Sequence, residues 1–291
     1  MRYRGTVIRP PSEADSYILQ VTYGCSHNQC TFCGTYPDKP FEVRPIGEVL
    51  HDVELAGRVM PETRRVFLAD GNALVLGTER LLEILNALSQ AFPDLQRVGI
   101  YANARDLLAK TPDELRTLRE HGLRIAYLGL ESGSDVVLER VNKKATADEM
   151  IRSVQRAQEA GIRVSVIALL GLGGTELSQE HAEATGRVVS AMDPRYLSLL
   201  TLMLIPGTPL HSQYESGTFQ LLTPESLLRE MRQIIMNLDG LSGCLFRTNH
   251  ASNYLPLAGT LPKDKSRLLA TLDAALARGR SALRPESWRA L

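Results

Sequence analysis

The chain is 291 residues long, 44% hydrophobic and 23% charged, so it reads as an ordinary globular sequence rather than a disordered or fibrous one. Lys plus Arg and Asp plus Glu both number 33, leaving no net charge. That balance argues against a broad phosphate-binding face, and nucleic acid is not an expected partner. No stretch approaches the roughly 18 apolar residues of a membrane span, and Met1 to Thr6 lacks the apolar core of an export signal. No membrane association and a cytoplasmic location are the expectation.

Short apolar runs alternate with amphipathic ones. The first predicted strand is Tyr17–Thr22, followed by a helix over Ile46–Arg58, a strand at Arg65–Ala69 and a helix over Glu79–Ala91. In that second helix Leu81, Leu82, Ile84, Leu85 and Leu88 fall at helical spacing. A strand at Arg97–Tyr101 precedes a helix over Pro112–His121, whose Thr111-Pro112-Asp113-Glu114 start reads as an N-cap with proline at the first position. Arg124–Leu128, Ala147–Ala160, Arg163–Leu170, Gln179–Ala191 and Tyr196–Leu204 continue the alternation. Strand–helix repetition of this kind calls for a parallel α/β sheet. Six units in about 200 residues fit a partial (β/α)6 TIM-like barrel better than a full eight-fold one, which takes ~250. A doubly wound sheet satisfies the same pattern.

After Pro206-Gly207-Thr208-Pro209, a turn signal, the texture changes. A helix is expected over Pro224–Leu238, then a nonperiodic stretch, Leu241–Pro262, then a terminal helix, Asp264–Leu283. The expected division is a core at 1–210 and an extension at 211–291 that packs on it as a cap.

Four cysteines are present, and three of them, Cys25, Cys30 and Cys33, crowd the end of the first strand. Thiols this close in a reducing compartment are poor disulfide partners and good metal ligands. Three thiolates can hold three irons of a cubane and leave one iron open. Cys25, His27, Cys30 and Cys33 as a tetrahedral zinc site is the competing arrangement. Cys244 stands alone and reads as a buried apolar thiol, with a hydrogen donor or an extra cluster ligand as the alternative. His51, His121, His181 and His211 form no metal spacing and are expected at the surface.

Further motifs follow at strand ends. Asp70-Gly71-Asn72 closes the second strand, where glycine allows close backbone approach and its neighbours offer acceptors. Asn103 and Arg105 close the third strand, facing a cavity or capping a helix. Tyr127-Leu128-Gly129-Leu130-Glu131-Ser132-Gly133 closes the fourth and leads to Lys143 and Lys144, while Gly171-Leu172-Gly173-Gly174 follows the fifth.

In this order, from about residue 15 to 210, these pieces resemble the radical S-adenosylmethionine superfamily. The nearest branch holds oxygen-independent coproporphyrinogen oxidases, tRNA methylthiotransferases and the elongator catalytic subunit. The C-x4-C-x2-C motif is one residue longer than the usual C-x3-C-x2-C. The resemblance implies that Cys25, Cys30 and Cys33 bind a 4Fe-4S cluster, with S-adenosylmethionine on the fourth iron. Phe32 would lie near the adenine or anchor the loop in the core. Asp70, Gly71 and Asn72 take the place of a turn that holds the methionine amino group, and Asn103 would border the same cavity. Glu131 would emerge beside the cofactor. Lys143 occupies the position of an arginine that pairs with its carboxylate, or else belongs to a solvated lysine pair. Leu172 lies in a segment that touches adenine.

An electron donor such as flavodoxin or ferredoxin is implied as a partner. Without a recognisable RNA-binding or cobalamin module, a small-molecule substrate is expected. If the tail covers the barrel mouth, Arg247, Asn249, His250 and Asn253 would reach that substrate, with Arg247 and His250 as the candidate catalytic residues; otherwise this stretch is a polar surface loop. The competing functions are a noncatalytic zinc or iron–sulfur protein, and a radical enzyme that cleaves a different C–S bond because the extra motif residue tilts the cluster.

Overall fold

The computed structural model describes residues 2–36 and 38–290; Met1, Pro37 and Leu291 lie outside the described residues. The chain is mixed α/β with mostly parallel strands, as its alternating pattern implies. It divides into two compact units. One comprises Met1–Asn28, Thr35–Leu128 and Ser153–Val164; the other comprises Gln29–Gly34, Gly129–Arg152 and Ser165–Leu291.

In the first unit, β1 (Tyr17–Gln20), β2 (Arg65–Ala69), β3 (Arg97–Ala102) and the start of β4 (Leu123–Glu131) run parallel in chain order. Ile18 pairs with Phe67, Phe67 with Gly99, and Tyr101 with Tyr127. Val66, Phe67 and Leu68 are successive and all buried, the near-continuous apolar run of a parallel strand covered on both faces. The helices α1 (Ile46–Val59), α2 (Thr78–Ala91) and α3 (Pro112–Glu120) return the chain. The expected stripe on α2 is buried at Leu81, Ile84, Leu85 and Leu88. The expected start of α3 is a capping box: Glu114 N–H donates to Thr111 Oγ1 at 3.2 Å, and Thr111 N–H donates to Glu114 Oε2 at 2.7 Å.

The second unit holds the end of β4 and, beyond α4 (Ala147–Glu159), most of β5 (Arg163–Leu170). β5 pairs in parallel with β6 (Tyr196–Thr201) from Ser165↔Tyr196 to Leu170↔Thr201. Between them, α5 (Gly174–Met192) begins at the glycine turn, five residues before the expected start at Gln179. α6 (Pro224–Met236) packs against α5 so closely that a Cβ on Gly186 would stand 2.5 Å from Asn237 Cβ.

Three further expectations are corrected in this unit. β4 runs on to Glu131 instead of ending at Leu128, and its last residue sits at φ +63°, which stops the strand. The stretch Leu241–Pro262 is not uniformly irregular: it contains β7 (Cys244–Arg247), parallel to β6, and β8 (Ala258–Leu261), antiparallel to β7. Over four residues Cys244 and Phe246 are buried and alternate with more open Leu245 and Arg247, a period too brief to stand out in the sequence. His181 is not a surface residue: it is fully buried on α5 among polar partners, which suit a neutral imidazole. α7 (Lys265–Arg278) is the terminal helix; it gives way at Gly279 to a 3-10 turn, Gly279–Ala282.

Candidate cofactor site

In the first unit, β1 leads into Gly24-Cys25-Ser26 and β2 into Asp70-Gly71-Asn72, and the two tripeptides meet residue by residue. Asp70 Oδ2 accepts from Gly24 N–H at 3.2 Å. A side chain on Gly71 would collide with the Gly24 carbonyl and stand 2.6 Å from Cys25 Cα, so only glycine permits the approach. Asn72 Oδ1 accepts from Ser26 N–H at 2.9 Å and lies 3.6 Å from Cys25 Sγ, while its Nδ2 donates to Ser26 Oγ at 2.9 Å.

Asp70 is fully buried. Its Oδ2 also accepts from Gln20 Nε2 at 3.1 Å and pairs with the Lys39 ammonium. Its Oδ1 is buried with no hydrogen-bond partner among the described residues, an acceptor suited to a ligand ammonium. Beside it the Tyr36 hydroxyl accepts from Gly71 N–H at 2.9 Å, and burial and the Asp70 carboxylate push its titration far up. Asn72 is in turn held by Asp106, whose Oδ2 accepts from Asn72 Nδ2 at 2.7 Å and from Asn103 N–H at 3.0 Å. Burial raises the Asp106 pKa above the ordinary carboxylate value. Asn103 is therefore a helix cap for Ala104–Leu108, and Arg105 donates to Ser26 Oγ at 2.6 Å.

In the second unit, Cys30 and Cys33 form a tight turn, with Cys33 N–H donating to Cys30 O at 3.1 Å. Thr31 N–H donates to Val141 O at 3.0 Å, and Leu210 N–H to Thr31 O at 2.9 Å. Phe32 packs on the buried cluster of Val137, Val141, Leu172, Leu202 and Leu210, so the structure brings Phe32 and Leu172 together. Glu131 Oε1 and Lys143 Nζ are 2.9 Å apart, both nearly covered, which makes Lys143 a partner of Glu131 rather than a solvated lysine. Gly133 N–H donates to Thr185 Oγ1 at 2.9 Å, and His181 Nδ1 shares a hydrogen bond of 2.8 Å with Ser132 Oγ. Gly171 N–H donates to Glu230 Oε1 at 2.6 Å.

The tail residues diverge. Arg247 is exposed at the end of β7, and Asn249 is exposed beyond it. His250 is half-buried, its Nδ1 shares a hydrogen bond of 2.9 Å with Ser252 Oγ, and burial lowers its pKa. Asn253 is fully buried and bonds Thr201 Oγ1, Leu199 O and Thr248 O, a structural role. Cys244 is buried, its thiol pushed up to about 12 mainly by desolvation.

Cys25, Cys30 and Cys33 are half-buried, and no disulfide joins any of the four cysteines. Among the described residues, no three His, Cys, Asp or Glu side chains gather as a site for a single ion. Within the first unit the Cys25 thiol and the unpartnered Asp70 Oδ1 suit an iron and a ligand ammonium, and within the second unit Cys30 and Cys33 offer two further thiols of the kind that binds iron. Sequence reasoning missed Tyr36, Lys39, Asp106, His181, Thr185 and Glu230. Two were legible: Asn103-x-x-Asp106 is a capping pattern, and Glu230 interrupts the apolar stripe of Leu227, Leu228, Met231, Ile234 and Ile235 on α6.

Comparison with known proteins agrees with this chemistry. The chain is 25% identical to the heme chaperone HemW of Bacillus subtilis strain 168, over 73% of this chain and 57% of that protein. It is 24% identical to the threonylcarbamoyladenosine tRNA methylthiotransferase MtaB of Rickettsia prowazekii, over 66% of this chain and 46% of that one. It thus spans about half the length of these curated relatives. Coproporphyrinogen III oxidase HemN of Escherichia coli superposes with a TM-score of 0.58 at 17% identity, covering 76% of this chain and 51% of that one. Methylornithine synthase PylB superposes at 0.53 and 16% identity, covering 92% and 85%. These likenesses show the fold, the partial TIM barrel expected from the sequence. The Radical SAM superfamily model matches residues 19–185, a span that includes all three clustered cysteines. The chain belongs to the Radical SAM superfamily, whose enzymes use S-adenosylmethionine and a 4Fe-4S cluster.

Proposed function

We propose that this chain is a radical S-adenosylmethionine enzyme that cleaves its cofactor reductively and acts on a small molecule. The observation that carries the reading is the cysteine trio: three half-buried thiols without disulfides, at the carboxyl end of β1 and inside the family match. Cys25, Cys30 and Cys33 would hold the cluster. When bound, cluster and cofactor supply a one-electron cleavage of a C–S bond, drawing on an external donor of the flavodoxin or ferredoxin kind.

The protein's share is binding and exclusion of water. Asp70 Oδ1 accepts the cofactor ammonium, while Gly71 and Asn72 hold the turn that carries Cys25. Lys143, kept in place by Glu131, pairs with the cofactor carboxylate as a point charge. Phe32 and Leu172 give the adenine an apolar wall, and Asn103 shapes the loop beneath Asn72. Residues 1–210 supply this common machinery, and 211–291 supply substrate recognition through Arg247 and His250. A cytoplasmic setting, which keeps thiols reduced, suits the ligand set.

Anaerobic reconstitution followed by iron analysis and electron paramagnetic resonance tests the reading. Replacing Cys25, Cys30 or Cys33 with Ala should remove most of the bound iron, because each thiolate holds its own iron; Cys244→Ala should keep it. A colourless protein with stoichiometric zinc refutes the assignment. Recovery of methylthioadenosine in place of 5′-deoxyadenosine would move the cleavage to another C–S bond.

A further inference from the structure

The side-chain network behind the glycine turn lies outside the roles given so far. Gly171 to Gly174 form the turn between β5 and α5, and Leu172 within it packs on the same cluster as Phe32. The turn has no polar side chain of its own until Thr175. Its first N–H is taken by a carboxylate from a distant helix: Glu230 Oε1, on α6, accepts from Gly171 N–H at 2.6 Å. Glu230 Oε2 accepts from Ser178 Oγ, one turn into α5. The carboxylate thus binds both the glycine turn and the helix that the turn begins.

His181 Nε2 lies 3.7 Å from Glu230 Oε1, while His181 Nδ1 shares its hydrogen bond with Ser132 Oγ. Ser132 directly follows Glu131, and the next residue, Gly133, donates to Thr185 on the same face of α5. Two segments assigned to the cofactor, Glu131–Gly133 and Gly171–Gly174, are therefore tied to a single helix. Glu230 is 3% exposed, a position where a carboxyl is costly unless its oxygens are occupied. A leucine there would continue the apolar stripe of α6 at lower cost, so packing alone does not call for the acid. Burial lifts the Glu230 pKa to about 7, and burial lowers that of His181 to about 4.

We propose that Glu230 is a positioning residue for S-adenosylmethionine, acting through Gly171 to hold the turn that carries Leu172. The inference rests on the functional reading above. It predicts that Glu230→Leu reconstitutes with a full complement of iron but binds S-adenosylmethionine roughly ten-fold more weakly, the scale of one charge-assisted hydrogen bond. Amide hydrogen exchange at Gly171–Gly174 should quicken in the same variant. Glu230→Gln keeps an acceptor for Gly171 N–H and an amide for Ser178, and should restore affinity to within about three-fold of wild type.

The experiment is equilibrium binding of S-adenosylmethionine to anaerobically reconstituted full-length protein, with exchange measured on the same samples. Wild-type affinity in folded Glu230→Leu would overturn the proposal. If that variant does not fold, Ser178→Ala decides. It frees one carboxylate oxygen and should weaken binding two- to five-fold with faster exchange at Gly171; no change in either refutes the role. Wild-type holoprotein that binds no S-adenosylmethionine would instead sink the functional reading on which the proposal rests.

Discussion

Asn72 shows how one side chain serves the loop that carries a cysteine. Its carbonyl faces Ser26 N–H and Cys25 Sγ, its amide nitrogen reaches Ser26 Oγ, and Asp106 fixes which end is which. A carboxylate accepts only from the nitrogen end, so Asp106 turns Oδ1 toward the backbone. Asn72→Ala should release Ser26 and cost the turn about 1–3 kcal/mol. Iron should load normally in this variant and leave faster during anaerobic gel filtration, and Asn72→Asp should fall between the two. Equal iron retention in Asn72→Ala would reduce the contact to packing. The sequence identified Asp70, Gly71 and Asn72 as a group but did not divide their labour. That division depends on whether Gly24 and Ser26 lie within hydrogen-bond reach, which no local spacing encodes.

The helices α5 and α6 carry an acid–base pair whose members respond to pH in opposite directions. An unfolded His181 takes up a proton below its ordinary value of 6.5, whereas the buried imidazole waits until about 4. Its contribution to stability is therefore lost as pH falls through that window. Glu230 runs the other way: folded, it keeps its proton up to about 7, while the unfolded carboxyl releases it near 4.5. Acidification across that range thus favours the folded form, and the two effects offset each other in the wild type. Glu230→Gln removes one of them. Its melting temperature should fall more steeply than that of the wild type between pH 6.5 and 4.5, with a differential of up to about 3 kcal/mol. Parallel profiles would show that Glu230 contributes no pH dependence to stability, against the raised pKa that its burial implies. Element types were legible in the sequence because apolar period and caps mark them, as on α2 and α3. The early start of α5 was not, because Gly173 and Gly174 read as a turn, and it is Glu230 and Ser178 that secure the helix there.

Along the whole chain, the change of texture near residue 210 is visible in the sequence, whereas the second compact unit runs unbroken from Ser165 to the C-terminus. The strands β7 and β8 explain the continuity, since they extend the pairing of β6 within that unit. Such pairing joins residues far apart in sequence, and pattern reasoning at short range does not see it. Of the tail candidates, Arg247 is exposed and His250 is half-buried against Ser252. If they bind the substrate, Arg247→Ala and His250→Ala should retain the cluster and slow uncoupled cleavage of S-adenosylmethionine. Both should lose the stimulation that wild type shows with metabolite extracts. Stimulation undiminished in both would place substrate recognition elsewhere.

Gly186 gives α5 and α6 a dimension as well as a contact. With only hydrogen at that position, Asn237 Cβ stands 2.5 Å from where a methyl would begin, and Ile234 O stands at 2.9 Å. Glu230 lies one helical turn before Ile234 on the same helix, and its carboxylate reaches across to Gly171 and Ser178. A methyl at that position would have to push α6 away from α5, the helix to which Glu230 is tied through Ser178. The smallest residue on α5 sets the tolerance for a hydrogen bond in which it takes no part.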